Sequence, residues 1–239
     1  MTTRTHIEHQ LEVSHQWQLE VESAGLSDAV EQLEQWQKDR LRETYGDFWA
    51  RENYREAMVF FVEELYAPAN LYQRNRQMAK MVPLMFKLLP PSILSTVEQA
   101  LKAQAMAQVL DFKTARSLHQ AEINISTMSP TQYAQHYRSS ANAKTREEQI
   151  GQIVAVGEAL DHMVSLPMIF RTLKMARWPA RVAGLSDLQT FLEHGFQAFD
   201  RMDGADEFLT AIAERENHIA RALREPDGSS LDFAWQQFS

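Results

Sequence analysis

The sequence predicts an all-α protein, and three observations support that fold class. Apolar residues recur at the three- and four-residue spacing of a buried helix face. The clearest series is Ile150, Ile153, Gly157, Leu160 and Val164. No stretch shows the sustained alternation of polar and apolar residues that marks a half-buried strand. Glycine and proline number only 8 each, which is few for the many turns of a sandwich or barrel. We therefore expect a compact bundle of about eight to ten helices.

Capping residues indicate where the predicted helices begin. Ser129-Pro130-Thr131-Gln132 combines an N-cap serine, a proline at the first helical position and a glutamine that can reach back to the cap. Similar capping boxes begin at Thr145 and Ser186, and Ser27 is a further N-cap. With the periodicity, these signals predict helices over about 5–23, 28–45, 52–66, 71–88, 92–120, 130–140, 146–165, 167–177, 187–203 and 205–224.

Length and composition favour one domain. A chain of 239 residues, 44% of them hydrophobic, can bury a sizeable core. We expect residues 1–224 to form a single helical domain and residues 225–239 to form a polar tail. The aromatic residues that would dock this tail onto the domain are Phe233, Trp235 and Phe238.

Three glycines fall inside predicted helices, at Gly151, Gly157 and Gly195. A glycine inside a helix costs about 1 kcal/mol relative to alanine, so its presence needs a reason. We expect these positions to permit close packing of neighbouring helices. The alternative is that they make room for a flat cofactor or a lipid chain.

Charge and composition exclude several classes of function. The net charge of −8 argues against nucleic-acid binding, which normally needs a basic surface. The absence of cysteine excludes disulfides, thiolate nucleophiles and thiolate metal sites. No apolar run is long enough for a transmembrane helix, and the polar first residues are unlike a secretory signal. We therefore expect a cytoplasmic protein.

The most distinctive segment is Phe60-Phe61-Val62-Glu63-Glu64-Leu65-Tyr66. Apolar side chains cover most of the circumference of this helix, a pattern typical of a central, buried helix. Glu64 is expected at the edge of the core, where a carboxylate needs a partner or a raised pKa. Glu64 is therefore a candidate catalytic or metal-binding acid. The alternative is a structural ion pair with Arg74 or Arg76, which follow a break at Ala67-Pro68.

This segment resembles the bacterial protein family named for an FFLEELY motif. All motif positions match except Val62, which replaces a leucine conservatively. The similarity extends through much of the chain, including 157–167 and 183–209. The resemblance implies a helical bacterial protein, and it assigns no activity or catalytic residue.

Asp161 is the second candidate for a buried catalytic carboxylate, because it lies beside the apolar series of its helix. A dinuclear carboxylate site needs Glu-x-x-His on two helices, whereas this chain has only Glu12 and His15 at that spacing. We therefore assign no metal ligands, and the sequence identifies no cofactor. Glu193 and His194 lie opposite the apolar face of their helix, so we expect both to be solvated.

Two segments combine positively charged side chains with large apolar ones. No acid occurs between Glu64 and Glu98 or between Asp161 and Asp187. The candidate binding residues in these segments are Arg74, Arg76, Arg171, Lys174, Arg177, Trp178 and Arg181. Basic amphipathic helices suit anionic lipid surfaces, apolar anionic ligands or acidic partners. The alternative is that these cations pair with the protein's own acidic helices.

The leading hypothesis is a non-catalytic binding protein for an apolar anionic small molecule, a membrane surface or a protein partner. One alternative is a metal-dependent or oxidative helical-bundle enzyme of the heme-oxygenase-like sort, using Glu64 and Asp161. Another is an assembly subunit. Nucleic acid is not an expected partner.

Overall fold

A computed structural model describes residues 2–64 and 68–225, and these residues confirm the all-α fold class. Within them the chain forms eleven α-helices, a π-helical turn at Phe60–Glu64 and a 3-10 turn at Ile125–Thr127. The helices are α1 Thr3–Ser23, α2 Ser27–Thr44, α3 Gly46–Ala50, α4 Glu52–Val59, α5 Pro68–Leu88, α6 Pro91–Gln120, α7 Pro130–Ser140, α8 Ala143–Val164, α9 Pro167–Val182, α10 Ser186–Met202 and α11 Asp206–Ala222. The expected tail and the end of the Phe60–Tyr66 motif lie outside the described residues.

Most predicted helices are present, with one additional helix and one helix that is longer than predicted. The short helix α3 was not predicted, because five residues are too few to show a helical period. Helix α9 was predicted to end before Pro179 but continues to Val182. A proline inside a helix removes one backbone hydrogen bond, and Pro179 is exposed to solvent.

Only one of the predicted capping boxes is confirmed. Ser129 accepts a hydrogen bond from the backbone N–H of Gln132, whose side chain accepts from the backbone N–H of Ser129. The box at Thr145 was wrong, because Asn142 caps the helix instead and accepts from the Thr145 N–H at 2.9 Å. The N-caps predicted at Ser27 and Ser186 were also wrong, because both serines are already the first residues of their helices.

The core is divided into three apolar clusters around the long helix α6 and the C-terminal helices. Helix α6 packs against α1, α2, α7 and α8. One cluster joins α2, α6, α7, α8 and α11, and a smaller one joins α1, α5 and α6. The third cluster joins the segment from α2 to the π-helical turn with α10 and α11. This third cluster places the Phe60–Glu64 segment directly against α10.

The π-helical turn buries three consecutive side chains, Phe60, Phe61 and Val62. Phe61 packs edge-on against Phe208 of α11, with ring centroids 6.0 Å apart. Phe60 packs against Phe191 of α10 at 5.2 Å. The expectation of a central, buried segment is therefore confirmed for these three residues.

Two of the three helical glycines permit close packing, as expected. A Cβ at Gly195 would lie 2.8 Å from the ring of Phe60, and a Cβ at Gly157 would overlap the side chain of Leu209. At Gly151 nothing lies within 4 Å, so close packing does not explain that glycine. Gly195 is thus the contact point between α10 and the π-helical turn.

We expect Gly195→Ala to lower the free energy of unfolding by about 1–3 kcal/mol, because the added methyl group overpacks the buried ring of Phe60. Gly151→Ala is the matched control, and it should raise the free energy of unfolding by up to about 1 kcal/mol through helix propensity alone. Urea unfolding of both variants measures the difference. Equal stabilisation by the two substitutions would show that the contact with Phe60 is not tight.

Candidate functional site

Helix α9 is anchored to the bundle by one face. It packs against α8 and α10. The ring of Phe170 stacks on Phe196 of α10 with centroids 5.0 Å apart. Arg177 Nε donates to both carboxylate oxygens of Glu193 on α10, at 2.7 and 2.9 Å. These contacts fix which side of α9 faces the protein.

The opposite side of α9 carries three large apolar side chains, which we call the α9 ridge: Met175, Trp178 and Val182. Their exposed fractions are 80%, 75% and 69%. At about 100° per residue, positions spaced by three and four residues fall within an arc of about 60°, so the three side chains form one stripe. Single exposed apolar side chains are normal on a protein surface, whereas a contiguous set of them marks an interaction surface.

The α9 ridge is flanked by a set of exposed cations that we call the basic flank: Arg171, Lys174 and Arg181. Within the described residues neither Arg171 nor Arg181 forms an ion pair. Lys174 Nζ lies 4.1 Å from the centre of the Phe170 ring of its own helix. Three of the four cations of α9 therefore lie exposed beside apolar side chains without an ion pair to any described residue.

Arg177 differs from the other cations of α9, because it is neutralised internally. Its partner Glu193 is only 7% exposed. The Arg177 hydrogen bonds hold the pKa of the Glu193 carboxyl below its usual range, although burial opposes this shift. The expectation that Glu193 is solvated was therefore wrong. Sequence periodicity within α10 could not reveal that α9 covers this side of the helix.

Arg74 and Arg76 lie on different sides of α5, because two residues along a helix correspond to about 200°. Arg74 is 5% exposed, its Nη2 donates to the backbone carbonyl of Glu64 at 2.9 Å, and its guanidinium lies 3.9 Å from the Phe191 ring centre. Burial lowers the pKa of Arg74 to about 10. Arg76 is exposed and lies over the ring of Tyr72 at 5.6 Å. The two predicted binding residues on α5 therefore do not share one surface.

The two candidate catalytic carboxylates each have a hydrogen-bond partner and lie apart. Glu64 Oε1 is 2.7 Å from Nδ1 of His194 on α10. Asp161 Oδ1 accepts from the backbone N–H of Ala205 at 3.1 Å, immediately before α11. Arg74 hydrogen-bonds the backbone carbonyl of Glu64 and forms no ion pair with its carboxylate, which contacts His194 instead.

Helix α5 also borders a cleft of about 380 Å³ against α1, with Arg76 and Tyr72 in its wall. His15 stacks on Tyr72 with centroids 5.8 Å apart. Asn75 Nδ2 donates to Ser14 Oγ at 2.8 Å, and Ser14 in turn donates to Gln108 at 2.7 Å. The polar side chains at the base of this cleft thus satisfy one another.

A second cavity lies inside the bundle, which we call the interior cavity. Its volume is about 60 Å³, and α2, α6, α7, α8 and α11 line it. Its polar wall consists of Gln37, Arg40, Asp111, Tyr133, Tyr137, Arg146, Gln149 and Glu216. Sequence reasoning missed this site. The available signal was Arg146, which precedes Ile150 by four residues on an otherwise apolar helix face.

Two half-buried acidic residues, Asp111 and Glu34, lie close to one another near this cavity. Burial raises the pKa of Asp111, which lines the cavity, while Gln37 Nε2 donates to it at 2.9 Å. Burial, with a contribution from Asp111, raises the pKa of Glu34 to about 9. Glu34 is therefore protonated near neutral pH.

These observations define a class: an all-α protein with an exposed, basic amphipathic helix and a separate polar cavity in its core. The chain belongs to the family described as a domain of unknown function, DUF8198, whose profile matches residues 16–229. No curated protein and no solved structure matches the chain. Within the described ranges no single helix is long and apolar enough to cross a membrane. Helices α8 and α9, which meet at 92°, meet those criteria only as a pair.

Glu34 should make the protein less stable as pH rises. A carboxyl with a pKa of about 9 when folded and 4.5 as its ordinary value stabilises the folded state fully only below pH 4.5, and this contribution is lost as pH rises towards 9. We expect Glu34→Gln to be more stable than the wild type by on the order of 1 kcal/mol or more at alkaline pH, with a smaller difference at acidic pH. Urea unfolding across this range measures the difference. The exposed substitution Glu147→Gln is the control, and a constant difference at every pH would contradict the prediction.

Proposed function

We propose that this protein is a binding protein that attaches reversibly to anionic membrane surfaces through helix α9. The observation that carries the proposal is the α9 ridge of Met175, Trp178 and Val182, which points away from the bundle beside the basic flank. Helices of this kind lie in the plane of the interface, with apolar side chains at the acyl boundary and cations near the headgroups.

The shape of this surface favours a membrane over a small apolar anion. Small molecules are normally held in concave pockets that enclose most of their surface. The α9 ridge is instead the outer side of a helix, and neither of the two cavities described above is lined by a residue of α9. A tryptophan at the edge of such a stripe suits the membrane interface, because its ring is both apolar and able to donate a hydrogen bond.

Electrostatics support the same surface. Each Lys or Arg near an anionic leaflet contributes about 1 kcal/mol to binding. The chain as a whole carries −8, so attraction has to come from the local concentration of charge on α9. We propose a cytoplasmic location, which would bring α9 to the anionic inner leaflet.

The other hypotheses stay predictions. Glu64 and Asp161 line neither described cavity, so no geometric observation favours the enzyme over the surface role. An assembly subunit would use the α9 ridge to contact protein, and the experiment below separates that outcome. The resemblance to the FFLEELY family is likewise retained as a prediction.

Flotation with vesicles tests the proposal. We expect the wild type to bind vesicles of phosphatidylcholine containing phosphatidylserine, to bind pure phosphatidylcholine poorly, and to lose binding as salt rises. The triple variant Arg171→Ser, Lys174→Ser, Arg181→Ser should bind roughly 100-fold more weakly. Trp178→Ala should weaken binding with no change in net charge. Arg177 is left intact, because it holds α9 to α10.

The matched control is the triple variant Lys102→Ser, Lys113→Ser, Arg116→Ser on α6. These three residues are exposed and the substitution removes the same charge. Equal loss of vesicle binding in both triple variants would show that binding depends only on net charge. That result would refute a binding surface specific to α9. Absence of wild-type binding to anionic vesicles would overturn the proposal. Self-association that Trp178→Ala abolishes, without vesicle binding, would support the assembly subunit instead.

A further inference from the structure

Arg146 is a buried cation whose hydrogen-bond and ring partners are all neutral. It is 4% exposed. Its Nη1 donates to Gln149 at 3.0 Å, its Nη2 donates to Ser140 at 2.6 Å, and its guanidinium lies 4.0 Å from the centre of the Tyr137 ring. No ion pair joins Arg146 to a carboxylate within residues 2–64 and 68–225. Its Nε has no hydrogen-bond partner there.

A buried charge is normally paired, because removing it from water without a counter-charge is expensive. The other charged groups of the interior cavity form no ion pair with Arg146 within the described residues. Glu216 is held by Arg40 at 2.6 Å and by the hydroxyl of Tyr45 at 3.0 Å. Asp111 accepts a hydrogen bond from Gln37 at 2.9 Å, and it interacts with Arg146 electrostatically without direct contact. Arg146 therefore has no carboxylate at ion-pair distance, and its Nε is left without a hydrogen-bond partner.

The cavity also limits what can compensate this charge. Its volume of about 60 Å³ exceeds the roughly 10–15 Å³ that one water requires. That space suits a molecule of only a few non-hydrogen atoms. Its remaining wall is apolar, formed by side chains such as Ile150, Ile212 and Ile219. A guanidinium with a free N–H matches the planar oxygens of a carboxylate better than a point charge would.

We infer that the interior cavity is a binding site for a small carboxylate, with Arg146 as its counter-charge and the isoleucine side chains around its short apolar end. This site is separate from α9 and does not depend on membrane attachment. The relevant chemical class is a short monocarboxylate such as acetate or propionate.

Calorimetric titration of the wild type with formate, acetate, propionate and butyrate tests the site. We expect saturable binding that is strongest for acetate or propionate and weaker for butyrate, because the cavity excludes longer chains. Acetamide has the shape of acetate without its charge, and it should not bind measurably. The inference would be overturned if none of the four carboxylates bound, or if acetamide bound as well as acetate. The cavity would then be a site for water only.

Arg146→Gln should weaken acetate binding by roughly tenfold to a hundredfold, because the charged hydrogen bond is lost. The exposed substitution Arg116→Gln is the matched control and should leave binding unchanged. If Arg146→Gln fails to fold, Ala220→Val gives a second test, since Ala220 lines the cavity and the larger side chain occupies part of its volume. Undiminished acetate binding in a folded Arg146→Gln or Ala220→Val variant would refute this location.

Discussion

The position of α10 against the π-helical turn is the constraint on which the candidate surface depends. The ring of Phe60 occupies the space that a side chain at Gly195 would need, so α10 can approach this closely only with glycine there. From that position α10 makes two further contacts. The ring of Phe191 lies under the guanidinium of Arg74, and the carboxylate of Glu193 accepts hydrogen bonds from the guanidinium of Arg177. Helix α10 thus connects the Phe60–Glu64 segment to both basic segments of the chain.

This arrangement divides five cations of the two basic segments into two groups. Arg74 is buried against the ring of Phe191, and Arg177 forms an ion pair with Glu193 although its own side chain is exposed. Arg171, Lys174 and Arg181 remain exposed on α9 beside the apolar ridge. The Arg177–Glu193 pair and the stacking of Phe170 on Phe196 orient α9, and the ridge faces outward on its other side. On α9, one cation therefore holds the helix to α10, and the other three are available to the proposed surface.

The two proposed sites differ in their physical character. The α9 ridge is convex and exposed, and its interactions would be long-range electrostatics and shallow apolar insertion, both sensitive to salt and to lipid composition. The interior cavity is small and lined by both polar and apolar side chains, and its polar interactions would be short hydrogen bonds in a low-dielectric core. Core helices α2, α6, α7, α8 and α11 build the cavity, whereas α9 takes no part in it. Each site can therefore be altered by mutation without direct contact with the other.

Periodicity predicted the helical class, most helix boundaries and the buried character of Phe60 to Val62. It did so because the spacing of apolar side chains along a helix is a local property. It also predicted the close packing at Gly195 and Gly157, although not the side chains they meet. The exposed cations on α9 were predicted as a group. Pairing with the protein's own acids was the alternative for these cations and holds for Arg177, but its partner was not identified, because Glu193 is on a different helix.

What the sequence by itself determined was therefore the helices, their apolar faces and the two runs of positive charge. Tertiary structure alone decided which faces meet, which cations find an acid and which remain exposed. It also decided that Arg146, Asp111 and Gln37, from three different helices, surround one cavity. The physical reason is that pairing and burial depend on distances between segments far apart in the chain, which no local pattern encodes.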